Sequence, residues 1–205
     1  MKRLLLVAAL FALSTNGSNA AIIVSLDGIV QDAAPGIWDW IYRADLQPDE
    51  NMRAGTNGDF FTIYDFSSLA TPVSATFGNS LNPAVSGRTF TVSEQMTGIN
   101  PPQTSIPDNQ NIPNFTVRLT GGGDVVPNPA TGQVTLGTLV IKSTTKLPVD
   151  SFFGSLAQKK SDLSDVSNVG SLPVAQGVPE PGSLTMVLAG LATFGALILG
   201  RRRLD

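Results

Sequence analysis

The feature that most limits how this chain can fold is a long uncharged segment close to its C-terminus. No charged residue lies between Glu180 and Arg201, and large aliphatic and aromatic side chains recur throughout this segment. About 20 mainly apolar residues allow a helix to cross the hydrocarbon core of a bilayer. Residues 182–200 are therefore predicted to form a transmembrane helix. Its cytoplasmic stop is predicted to be the cluster Arg201, Arg202 and Arg203, which leaves the body of the chain outside the cytoplasmic membrane.

The N-terminus has the three-part layout of a secretory signal peptide. Lys2 and Arg3 form the positive part, residues 4–13 the apolar part, and Ser18-Asn19-Ala20 a small-residue cleavage site. The alternatives are a buried helix or an uncleaved anchor, but polar residues end the apolar run before it reaches a spanning length. Residues 1–20 are predicted to direct export through the Sec machinery and to be removed by signal peptidase.

The C-terminal parts together resemble a known sorting signal. Val178-Pro179-Glu180-Pro181, one apolar segment and a terminal arginine cluster follow one another in the order found in the PEP-CTERM proteins of Gram-negative bacteria. The resemblance implies that Val178, Pro179, Glu180 and Pro181 are read by exosortase, an integral-membrane protease often encoded beside exopolysaccharide synthesis genes. It covers about the last eighth of the chain and says nothing about the body.

The chemistry of the triplet suits processing at a membrane surface. Pro179 and Pro181 lack amide hydrogens, and each disfavours helix in the residue before it. The triplet is therefore predicted to stay extended just outside the bilayer, where a membrane protease can engage its backbone. The alternative is that these prolines only stiffen a stalk.

The body, residues 21–177, has the length of one ordinary domain. It contains no cysteine, so disulfides cannot stabilise it. Its fourteen acidic and eight basic residues give a net charge of −6, and this balance argues against nucleic-acid binding, which needs a basic face. Sparse charge, many turn-forming residues and no long period of 3.6 residues favour an exported all-β domain.

Short alternating runs between turn formers predict about eight strands. The clearest is residues 38–46, where Trp38, Trp40 and Tyr42 point to one face. The other runs are residues 22–30 with a turn at Asp27-Gly28, then 60–66, 73–77, 88–96, 115–119, 134–141 as a central strand, 151–157 and 171–175.

Long polar loops separate several of these runs. Residues 97–114 contain four prolines, and Gly121-Gly122-Gly123 leads into another proline-rich stretch, neither of which can pair regularly in a central sheet. The pattern predicts an antiparallel β-sandwich, jelly-roll-like or immunoglobulin-like, of undetermined strand order. Its buried side chains are predicted to include Trp38, Trp40, Phe90, Val117 and Val140.

The chain lacks the residues that most catalytic and cofactor-binding sites require. The chain has no histidine and no cysteine, so serine–histidine and cysteine–histidine catalysis and the usual zinc and haem sites are not expected. A glycosidase needs only two carboxylates, but no spacing selects a pair among Asp32, Asp39, Asp49, Glu50, Asp59 and Asp65. We expect no enzymatic activity, no cofactor and no metal site.

Two groups of residues could bind a ligand. Trp38, Trp40 and Tyr42 could form a platform for sugar rings, although aromatic residues at period two more often belong to a core. Loop oxygens could hold calcium, although no established calcium-loop spacing is present and turn formation explains them better; they belong to Asp108, Asn109, Gln110, Asn111, Asp124 and Asn128.

Three functions remain open after this reasoning. The first is a non-enzymatic cell-surface or matrix protein that is anchored in the inner membrane, released by exosortase and associated with exopolysaccharide. The second is a lectin-like module that binds a glycan or calcium. The third is a two-carboxylate hydrolase. Exposed tryptophans would favour the second, and a cleft with facing carboxylates would favour the third.

Overall fold

A computed structural model describes residues 21–66 and 74–175. The predicted signal peptide, the Pro-Glu-Pro triplet, the transmembrane span and the arginine cluster lie outside these residues. The described part contains no α-helix, and none of its helical structure is long and apolar enough to cross a membrane. Its regular structure is ten strands and one short 3₁₀ turn, Pro129–Thr131. The all-β prediction is confirmed.

The strands, in chain order, are β1 Ile22–Gln31, β2 Trp38–Leu46, β3 Glu50–Asn51, β4 Phe60–Ile63, β5 Ala75–Asn79, β6 Thr89–Gln95, β7 Asn114–Gly121, β8 Val134–Ser143, β9 Pro148–Lys159 and β10 Asp165–Ala175. Every pairing between them is antiparallel. The turn predicted at Asp27-Gly28 is wrong: β1 continues through it, with a register shift between Leu26 and Gly28. A bulge of this kind absorbs one extra residue without ending the strand.

The strands form two sheets. Sheet A has the order β1-β2-β8-β5, and sheet B has the order β10-β9-β4-β7-β6, with the two-residue β3 added beside β9. The prediction that residues 134–141 form a central strand is confirmed, because β8 pairs with both β2 and β5.

Both sheets contribute side chains to one buried cluster. Trp40 and Tyr42 of sheet A meet Phe66, which follows β4, and Phe66 in turn meets Phe115 of β7. The Trp40 and Phe66 ring centroids lie 5.9 Å apart and the Phe66 and Phe115 centroids 5.6 Å apart, both edge to face, which is a favoured aromatic geometry. The core therefore spans the space between the sheets.

The predicted core residues are only partly correct. Trp40 and Val117 are fully buried, whereas Trp38, Phe90 and Val140 are only partly buried. Trp38 and Phe90 point toward the core but pack against its margin, because each begins or nearly begins its strand. Val140 alternates with the buried Leu139 and Ile141 and so lies on the opposite face of β8.

The proline-rich loop between β6 and β7 covers the outer face of sheet B. Tyr64 donates a hydrogen bond from its hydroxyl to the Ile99 carbonyl (2.7 Å), and Ser167 Oγ donates one to the Pro102 carbonyl (2.9 Å). Ile106 is buried in this loop, above Gly154 of β9. The loop gives sheet B a second apolar layer, and all four residues of β4 are buried as a result.

Gly154→Ala is expected to destabilise the body by about 1–3 kcal/mol, as overpacking does elsewhere. A Cβ at this position would lie 2.5 Å from Ile106 Cδ1 and 3.0 Å from Pro101 Cδ, so the side chains of the covering loop must shift. Gly78→Ala is the matched control, because no heavy atom lies within 4 Å of its added Cβ. Denaturant unfolding compares them, and equal stability of the two variants would contradict this packing.

Candidate functional site

The C-terminal segment leaves the body at one end of the sheets. β10 ends at Ala175, which pairs with Pro148 at the start of β9. The loops 32–37 and 144–147 lie at this end too, since Trp38 pairs with both Gln31 and Ser143. We call this region the exit end, defined by residues 173–175 and the loops 32–37 and 144–147.

Two core aromatic residues fasten the exit end to the core. Trp40 donates a hydrogen bond from Nε1 to the Thr145 carbonyl (2.9 Å), and Tyr42 donates one from its hydroxyl to the Pro173 carbonyl (2.9 Å). Burial raises the pKa of Tyr42 above its usual value, so the hydroxyl stays a neutral donor. The strand β2 therefore fixes both the loop 144–147 and the last residues of β10 before the C-terminal segment.

The structure contradicts the sugar platform. The rings of Trp40 and Tyr42 are 0% exposed, inside the core, where a sugar cannot stack on them. Only Trp38 keeps an exposed part, and Lys146 Nζ lies 4.9 Å from its ring centroid. The period-two spacing of Trp38, Trp40 and Tyr42 places all three on the face of β2 that meets the other sheet. It is therefore the spacing of core residues.

Three of the candidate catalytic carboxylates form ion pairs with basic side chains. Lys142 forms an ion pair and hydrogen bond with Asp32, and its Nζ lies 3.6 Å from Asp39. The hydrogen bond from Lys142 lowers the pKa of Asp32. Arg53 contacts both oxygens of the fully buried Asp59, and its Nη2 lies 2.7 Å from the nearer one. Burial raises the pKa of Asp59, and the hydrogen bonds from Arg53 oppose that rise.

The candidate calcium ligands form hydrogen bonds within and between loops. Asp108 accepts from the Gly98 amide (2.8 Å) and from Asn114 Nδ2 (3.0 Å), and Asp124 accepts from the Ala54 amide (2.8 Å). Asn109 and Asn128 each accept from the backbone amide two residues later. The contacts of Asn109 and Asn128 are turn-forming, whereas those of Asp108 and Asp124 join more distant segments. No cluster of three metal-ligating acidic side chains occurs in residues 21–66 and 74–175.

Sequence reasoning overlooked the unusual environment of Glu50. This residue is 0% exposed, and neither of its carboxylate oxygens has a hydrogen-bond partner within the described structure. Burial raises the pKa of Glu50 to about 7, and the negative charge of Asp49 adds to the shift. Lys159 opposes it. No local signal marks Glu50, because its burial depends on the pairing of β3 with β9, far along the chain.

Two open clefts adjoin the C-terminal part of β9. One, of about 520 Å³, is lined in part by Pro48, Asp49 and Lys160, and the other, of about 500 Å³, by Gln103, Asp165 and Ser167. Lys159 contributes to both. Each cleft has a single acidic residue among its described lining residues, so neither offers the facing pair that glycoside hydrolysis requires. Asp65 lies elsewhere and accepts from the Asn109 amide (2.8 Å).

Comparison with known proteins identifies the C-terminal segment. A family model described as the PEP-CTERM protein-sorting motif matches residues 177–203, which confirms the resemblance seen in the sequence. No curated protein and no solved structure matches the chain. The motif marks an exported protein that is sorted by exosortase, a membrane protein.

Proposed function

We propose that this protein is a non-enzymatic component of the cell surface or extracellular matrix. Sec exports it, signal peptidase removes residues 1–20, and the helix 182–200 anchors the body outside the inner membrane. Exosortase then reads Pro179, Glu180 and Pro181 and releases the body, which associates with exopolysaccharide. The single observation that carries this proposal is the match of the PEP-CTERM motif to residues 177–203.

The contacts in the body support a structural role. Three of its candidate catalytic carboxylates are engaged by Lys142 or Arg53, and Trp40 and Tyr42 are in the core. Candidate calcium oxygens of Asp108, Asp124 and Asn128 accept hydrogen bonds within and between loops. All of these residues make contacts that stabilise the fold. This favours the surface-protein hypothesis over the lectin-like and hydrolase alternatives.

The architecture proposed for the body is a jelly-roll-like β-sandwich. Its support is the single core that both sheets share and the repeated passage of the chain between them. Among the strands of residues 21–66 and 74–175, the chain changes sheet five times, from β2 to β3, β4 to β5, β5 to β6, β7 to β8 and β8 to β9. The constant immunoglobulin arrangement changes sheet only three times.

The proposed topology is tested with reporters fused after Gln176 in the full-length precursor. A phosphatase that is active only outside the cytoplasm is expected to be active at this position, because the arginine cluster holds the other side of the span inside. The same fusion without residues 1–20 is the control and is expected to be inactive. Activity of a reporter that works only in the cytoplasm would contradict the topology.

A further inference from the structure

The tether between the body and the proposed membrane span is short. β10 ends at Ala175, and the span is predicted to begin at Gly182, seven residues later. A fully extended chain covers at most about 3.6 Å per residue, so the tether reaches about 25 Å. The headgroup layer takes up several ångströms of this distance. The exit end must therefore stay near the lipid headgroups while the precursor is anchored.

The opposite end of the body lies far from the exit end. β9 runs for twelve residues from Pro148 to Lys159, which corresponds to about 40 Å of strand. The turn after it carries Leu163, which is 62% exposed. Leu163 and the exit end thus lie at opposite ends of the same strand.

The exit end presents apolar side chains. Leu147 of the loop 144–147 is 58% exposed. Two valines adjoin the exit end: Val149, near the start of β9, is 44% exposed, and Val30, next to the loop 32–37, is 46% exposed. Lys146 lies over the partly exposed ring of Trp38. Aromatic rings and lysines are side chains that favour the boundary between membrane and water, where an apolar body and a polar tip are both accommodated.

The loop that carries Leu147 is held in one conformation. Its Thr145 carbonyl accepts from Trp40 Nε1, the Thr145 amide donates to Ser143 Oγ (3.2 Å), and the Leu147 amide donates to Thr145 Oγ1 (3.1 Å). These hydrogen bonds hold the backbone of the loop with Leu147 exposed. The loop therefore loses little conformational freedom when Leu147 contacts a partner.

We propose that the exit end is a membrane-contact surface that lies on the lipid headgroups of the anchored precursor. The inference rests on the proposed function, since it requires the span 182–200 to be inserted. Leu147 and Val149 contact the boundary of the acyl chains, and Lys146 contacts anionic headgroups. The exposed carboxylate of Asp150 opposes attraction to anionic lipid, so apolar contact is the main contribution. The surface keeps the body oriented on the membrane until release.

The test uses two single-cysteine variants of the full-length precursor, Leu147→Cys and Leu163→Cys. The chain has no cysteine of its own, so each variant carries one bimane label. Both are reconstituted in vesicles of phosphatidylethanolamine and phosphatidylglycerol (about 3:1) that contain headgroup spin-labelled lipid. We expect quenching at position 147 to exceed quenching at position 163 several-fold, and to persist in high salt because the contact is mainly apolar.

The other outcomes separate the two proposals. If the precursor floats with the vesicles but the labels are quenched equally, the contact surface is wrong and the anchored topology stands. If position 147 is shielded only in native membranes that contain exosortase, the enzyme rather than lipid occupies the surface and the proposal fails. If the precursor does not float with the vesicles, both the span and the contact surface are wrong.

Discussion

Trp40→Ala is expected to lower the free energy of unfolding of the body by about 3–5 kcal/mol, the range found for buried large aromatic residues. Trp40 is 0% exposed and packs edge to face on Phe66. The substitution leaves a cavity between the sheets and removes the hydrogen bond from Nε1 to the Thr145 carbonyl. Denaturant unfolding of the exported body, followed by circular dichroism, measures the loss.

Trp38→Ala is the matched control for this prediction. Trp38 lies on the same face of β2 but at the margin of the core, where it is only partly buried. Because less apolar surface is removed from water at this position, its loss is expected to cost clearly less than that of Trp40. Equal costs for the two variants would contradict the placement of the core.

Glu50→Gln is expected to stabilise the body at alkaline pH and to have little effect at acidic pH. The pKa of Glu50 rises from 4.5 to about 7 on folding because burial disfavours its charged form. The folded state therefore holds this proton more tightly than the unfolded state does. The associated stability is fully present below pH 4.5 and is lost as the pH rises through 7. A shift of this size corresponds to roughly 3 kcal/mol, which is an upper limit for the gain because the Gln amide is also buried.

The measurement is the free energy of unfolding of wild type and Glu50→Gln between pH 4 and pH 9. Glu94→Gln is the control, because Glu94 is exposed on β6 and the substitution removes the same charge. The difference between Glu50→Gln and wild type should grow from pH 4.5 to pH 7 and then level off. A difference that is independent of pH, or one that also appears for Glu94→Gln, would contradict the burial of an ionisable Glu50.

The strands could be predicted where the burial of a segment follows from its own residues. β2 has the predicted bounds, because apolar and polar side chains alternate through it while one face meets the core. The C-terminal motif can be identified from sequence for a similar reason, since its triplet, apolar segment and arginines are contiguous in the chain.

Features that depend on distant parts of the chain could not be predicted. The pairing of β4 with β9 joins Phe60 to Leu156, and no local pattern encodes such a partner. Two other features also depend on residues far apart in the chain. Gly154 is covered by Ile106, and Glu50 is buried beside β9 without a hydrogen-bond partner for its carboxylate. The sugar-platform hypothesis failed because period-two aromatic residues look alike in sequence whether their face meets water or another sheet.

The most direct test of the account is the intact mass of the mature protein in cells with and without exosortase, for wild type and Glu180→Ala. Gln176→Ala, just outside the matched motif, is the control. Wild type and Gln176→Ala are expected to lose the C-terminal segment only when exosortase is present. Glu180→Ala is expected to be exported and inserted, because the span and arginines are unchanged, and to accumulate with its C-terminus intact. A Glu180→Ala protein with the same mature mass as wild type would contradict recognition of the triplet.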